Sequence, residues 1–112
     1  MPAQVTDYSN INLEEMAAQI GLKAKHMPML IGSFLDESKT IMADLKNAIE
    51  NSDFENMRIH AHSIKGSAGN LKFDDIYNMA REMEFAAADS KSDFEYTLYF
   101  DAIKASIATI NV

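Results

Sequence analysis

Between Met27 and Ile49 the apolar residues Met27, Leu30, Ile31, Phe34, Leu35, Ile41, Met42, Leu45, Ala48 and Ile49 recur at steps of three and four, with Ser38 in the gap. That repeat places them on one side of a helix about six turns long. A helix with one long apolar side must bury it against other elements, so this segment alone steers the chain toward a helical bundle. Pro28 falls in the first turn, where its missing N–H does no harm.

The rest of the chain supplies partners of the same kind. A short first helix is expected after Asn12, which can cap it with Glu15 three residues on; Met16 and Ile20 share a face and Gly21 suits a stop. Ser52-Asp53-Phe54-Glu55 reads as a capping box that opens a third helix, with Phe54, Met57, Ala61, Ile64, Ala68 and Leu71 as its stripe. A fourth helix begins near Asp74 or Asp75 and carries Ile76, Met79, Ala80, Met83 and Ala87. A second capping box, Ser92-Asp93-Phe94-Glu95, is expected to open a fifth, with Tyr96, Tyr99, Phe100, Ile103, Ile107 and Ile110 inward. No stretch alternates with period two for long enough to suggest a strand. Short connections favour antiparallel neighbours. The expectation is an all-α, antiparallel up-down four-helix bundle with a short additional N-terminal helix, residues 1–112 forming one domain.

Composition narrows the function. With no cysteine, disulfides, thiolate zinc sites and thiol nucleophiles are excluded. A net charge of -7 argues against a nucleic-acid partner, because phosphate-backbone binding needs clustered Lys and Arg. No apolar run approaches the roughly 20 residues of a membrane helix, and MPAQVTDYSN lacks the regions of a signal peptide. A soluble, cytoplasmic protein is expected. His60 and His62 diverge on a helix and no HExxH spacing occurs, so no metal site is expected. No Gly-rich phosphate loop is present, and Ser63 and Ser67 lack the base and oxyanion partners of a hydrolase.

Function therefore rests on what the third helix leaves outside. At about 100° per residue, His62 points roughly 130° away from the centre of the stripe. Gly66 and Gly69 follow it on the same surface, Arg58 and Ile59 precede it by a turn, and Lys65 is within a turn. Each Gly inside a helix costs about 0.5–1 kcal/mol relative to Ala. Two readings are open: a low wall beside an imidazole that another protein approaches, or a solvated His beside glycines that allow close helix packing. His60 projects to the other flank, nearer the core boundary, and is expected to be structural. His26 is expected to be simply exposed.

Ala61-His62-Ser63-Ile64-Lys65-Gly66-Ser67-Ala68-Gly69-Asn70-Leu71 resembles the signature of histidine phosphotransfer domains, roughly AH-x-[LI]-KG-[SGA]-[SA]. The likeness runs from Met27 to about Ser90, and takes in Leu45-Lys46-Asn47-Ala48-Ile49 and Met83-Glu84. The resemblance implies a phosphorelay intermediate without kinase activity of its own. Its partners would be response-regulator receiver domains and a sensor histidine kinase. It also implies that Nε2 of His62 is the phosphorylated nucleophile, that Lys65 stabilises the phosphoryl oxygens, and that Gly66 and Gly69 give a docking receiver clearance. Glu84 matches a Glu that hydrogen-bonds the motif His in the chemotaxis-kinase branch, and Ser67 and Asn70 would help orient the phosphoryl group. No cofactor is implied for this chain, since Mg2+ belongs to the receiver. Docking would use Ile59 with part of the second helix, and a monomer is expected.

Many members carry Gly where this chain has Lys72, so the third helix would end differently or run longer. Two other readings stand beside the relay. One is the phosphoacceptor domain of a chemotaxis-type histidine kinase, against which Met1 and the ending Ile110-Asn111-Val112 favour a stand-alone protein. The other is a structural adaptor whose His is never phosphorylated.

Overall fold

The computed structural model describes residues 3–111, with five α-helices and no strand among them. They are α1 (Leu13–Gln19), α2 (Met27–Glu50), α3 (Phe54–Asn70), α4 (Asp74–Ala88) and α5 (Tyr96–Ala108), with a single 3₁₀ turn, Ala24–His26, leading into α2. Each of α2 to α5 packs on the helices next to it in the chain, and α5 returns to α2, closing a ring; α1 and the 3₁₀ turn pack on α2. The most extensive seam is α3 against α4. Small residues make it possible: Ala61, Ala68 and Ala80 are fully buried and let the two backbones approach.

The stripes fill the centre of the ring. Ile31, Leu45, Ile64, Ile76, Met83 and Ile103 are all fully buried, one or more from each of the four long helices. Met57 and Leu71 are buried as expected, whereas Phe54 is only half-buried and meets Tyr96 at the end of the core. Ser38 is buried in the α2 stripe and satisfies its hydroxyl by donating to the Leu35 carbonyl at 2.8 Å.

Four helices end in the same way. After α1, α2, α3 and α4 the chain takes a left-handed residue (Gly21, Ser52, Lys72 and Ser90) and the next N–H reaches back into the last turn. At the end of α3, Phe73 N–H donates to the Ala68 carbonyl at 3.0 Å and Lys72 N–H to Gly69 at 3.2 Å, the paired bonds of a Schellman motif. Lys72 therefore ends the helix where a Gly would have ended it, at φ +62°. Phe73, just beyond, is fully buried against Phe34 and Tyr8.

This pattern corrects both capping boxes. Ser52 is committed to ending α2, at φ +51°, so the cap of α3 moves to Asp53, whose carboxylate accepts from Asn56 N–H at 3.2 Å. The second box does not form. Phe94 stacks on Tyr96 and Tyr99, and Tyr96 donates its hydroxyl to the Lys91 carbonyl at 2.7 Å, holding 91–95 as a turn. Consequently α5 starts at Tyr96 with no side-chain cap. Asn12 does cap α1, accepting from Glu15 N–H at 3.0 Å.

Before α1 lies an extended segment with no periodic signal. Thr6 donates its N–H to Ser106 Oγ (2.9 Å) and its hydroxyl to Asp75 (2.9 Å), while Tyr8 N–H donates to Thr109 Oγ1 (2.8 Å). Residues 6–8 are thereby tied to the start of α4 and the end of α5.

Candidate functional site

Because Met57, Ala61, Ile64 and Ala68 point inward, α3 turns His62 to solvent with 64% of its side chain exposed. The opposing flank of α4 supplies its partner. Glu84 Oε2 lies 2.9 Å from His62 Nδ1, and Glu84 Oε1 lies 2.7 Å from Lys65 Nζ. One carboxylate thus holds both the imidazole and the ammonium, although the three residues come from two helices.

Glu84 and Lys65 are largely buried, at 14% and 18% side-chain exposure. Burial pushes the Glu84 carboxyl up, but the hydrogen bonds from Lys65 and His62 outweigh it and hold the group below its ordinary value. Ionised, Glu84 can only accept hydrogen bonds. The 2.9 Å contact therefore requires a proton on Nδ1 of His62, and in the neutral ring that leaves the lone pair on Nε2. The chemistry available is an exposed nitrogen nucleophile whose tautomer is fixed from behind.

The other flank of α3, toward α2, is loosely closed. A shallow groove there is bounded by Glu37, Thr40 and Ile41 of α2 and by His62, Gly66 and Asn70 of α3. Ser67 bridges it weakly, its hydroxyl 3.5 Å from Glu37 Oε2, at the outer limit of a hydrogen bond.

The two glycines differ. A Cβ at Gly66 would meet nothing within 4 Å, so this residue opens onto free space beside the imidazole. A Cβ at Gly69 would stand 3.0 Å from Cδ2 of Tyr77, so this glycine is what lets α4 pack closely. Ile59 is 41% exposed on the outer face one turn before His62. Arg58 turns back to Glu55, 2.7 Å away, and that bond raises the guanidinium further above its ordinary value. His60 is half-buried beside a polar hollow that includes Asp44, Asn47 and Asp53, and His26 is exposed. Among the described residues no group of three or more His, Asp or Glu is placed to hold a metal, and no helix is long and apolar enough to cross a membrane.

Sequence reasoning expected part of the second helix beside the site but did not single out Glu37, Thr40 or Tyr77, and it placed Ile41 only in the apolar stripe of α2. They reach the site only through the pairing of α3 with α2 and α4, which leaves no local signal.

The sequence model of the Hpt domain matches residues 29–110, from the start of α2 to the end of α5. The chain belongs to the Hpt-domain family. No curated protein and no solved structure matches it. Hpt domains are histidine phosphotransfer modules of two-component signalling that interact with receiver domains and kinases, and they are not autonomous kinases. In this Hpt chain, α1 and the extended N-terminal segment lie outside the matched region.

Proposed function

We propose that this Hpt chain relays a phosphoryl group through Nε2 of His62, between the aspartates of receiver domains, as a single domain whose consecutive helices run up and down. The observation that carries this reading is the bond from Nδ1 of His62 to Glu84. In the accepting step the Nε2 lone pair attacks phosphorus in line, the bond from phosphorus to the receiver's aspartyl oxygen breaks, and the carboxylate leaves with that electron pair. The ring becomes cationic with its proton still on Nδ1. Glu84 offsets that charge, and Lys65 is close enough to neutralise the arriving phosphoryl oxygens. The donating step is the reverse, toward a second receiver. The receiver supplies Mg2+, and no cofactor is assigned to this chain.

Ile59, Gly66 and the groove walls on α2 form the surface a receiver would meet, with Ser67 and Asn70 at its far edge. Arg58, held by Glu55, stands at the near edge. The protein acts as a cytoplasmic monomer in this reading. Incubation with a phosphorylated receiver should label the wild type with an acid-labile, base-stable phosphoryl group and leave His62→Gln unlabelled. Equal labelling of both proteins, or of neither while folded, would remove His62 from the relay. The contact with Glu84 also favours a second reading, a phosphoacceptor domain that serves a chemotaxis-type kinase. In that case an ATP-charged kinase domain would label His62 far faster than any receiver.

A further inference from the structure

Opposite the α3–α4 seam, α2 and α5 have the sparsest backbone contact of the four neighbouring helix pairs. Its cause is visible in the sequence. Ser38 stands where the α2 stripe wants a large apolar side chain, and it folds back onto the Leu35 carbonyl instead of filling the space. A groove of about 410 Å3 results, floored by Met42, Phe100 and Ile107 and edged by Lys39, Lys46 and Lys104.

The charge on this edge runs against the rest of the chain. The protein has 10 Lys and Arg against 17 Asp and Glu, yet three lysines converge on one apolar groove. Lys65 and Arg58 are paired with carboxylates, whereas none of these three forms an ion pair among the described residues. Lys39 and Lys46 lie two helical turns apart, about 10 Å, along one edge, and Lys104 faces them from α5. The volume falls within the roughly 300–1,000 Å3 of small-molecule sites.

We propose that the α2–α5 groove binds a small amphipathic carboxylate of the medium-chain acyl type, with its chain on Met42, Phe100 and Ile107 and its carboxylate held by the lysines. The apolar floor removes the acyl chain from water, and the cationic edge selects an acid over an alcohol of equal length. This site is independent of His62.

The test is an amide NMR titration of the full chain with sodium octanoate at constant ionic strength, beside 1-octanol. Saturable shifts are expected within 38–46 and 100–108, with a dissociation constant in the millimolar range or below. The exposed triple variant Lys39→Gln/Lys46→Gln/Lys104→Gln should bind about tenfold more weakly, as should octanol with the wild type. Ala43→Trp, which places a ring over the groove from its exposed rim, should abolish the shifts while the amide spectrum stays folded. Equal binding of octanol and octanoate, an unaffected triple variant, or shifts spread over every helix would overturn the proposal. Shifts at the same residues on raising protein concentration alone would also overturn it, and would assign the seam to a second copy of the chain.

Discussion

The two flanks of α3 are built to opposite specifications. Toward α4 the contacts are short and charged: Glu84 holds His62 and Lys65 at 2.9 and 2.7 Å, and Tyr77 fills the space over Gly69. Toward α2 there is one long hydrogen bond, from Ser67 to Glu37, and an open groove beside Gly66. Orientation of the imidazole is therefore the task of one neighbour and access to it the task of the other. The proposed relay needs that division, because a partner on both flanks would bury the Nε2 that it assigns as the nucleophile.

The largest effect should come from the fixed flank. Glu84→Gln keeps the shape but removes the charge that balances a cationic ring, and its amide can donate to Nδ1 and favour the wrong tautomer. Transfer from a phosphorylated receiver should slow by about 10–100-fold, the range typical of lost orienting partners. An unchanged rate would reduce the α4 flank to packing. The same substitution has a pH signature. The Glu84 carboxyl is held below its ordinary 4.5, so its contribution to stability is complete above that value and is lost as pH falls through its lowered value in the fold. Urea melts should show wild type more stable than Glu84→Gln at neutral pH, with the gap closing on acidification.

The open flank predicts a separation of stability from activity. Gly66→Ala meets nothing and removes a helix-interior glycine, so it should stabilise the fold by about 0.5–1 kcal/mol. Because the new methyl raises the wall beside His62, transfer should nonetheless slow severalfold. Gly69→Ala should lose that stabilisation, since its Cβ would stand 3.0 Å from the Tyr77 ring. Equal stability of the two alanine variants would erase the distinction between the glycines. The smallest effect belongs outside both flanks: Lys72→Gly relieves a left-handed residue at the end of α3 and should stabilise by about 0.5 kcal/mol. Transfer should be unchanged there.

Much of this was legible in the chain. The four long stripes locate α2 to α5 because burial on one side of a helix leaves a period in the sequence, and His62 falls outside the α3 stripe for the same reason. Helix ends were harder. Ser52 satisfies the capping-box pattern, but a residue already used to close α2 in a left-handed conformation cannot also cap α3, and Asp53 replaces it. At Ser92 aromatic packing of Phe94 on Tyr96 and Tyr99 delays α5. Lys72 shows the converse, since buried Phe73 stabilises a helix end that a non-glycine residue alone would disfavour. The contact between His62 and Glu84 was indicated by resemblance, whereas the pairing of Gly69 with Tyr77 and the strap through Thr6 and Tyr8 carry no periodic or motif signal.

The most direct test is to find which nitrogen carries the phosphoryl group. The protein, labelled with 15N in its imidazoles and phosphorylated by a small-molecule phosphodonor, can be read by phosphorus–nitrogen coupling. A single coupling is expected, to Nε2 of His62, with the proton retained on Nδ1 toward Glu84. Coupling to Nδ1 of His62, or a phosphoryl group on His26 or His60, would contradict that expectation.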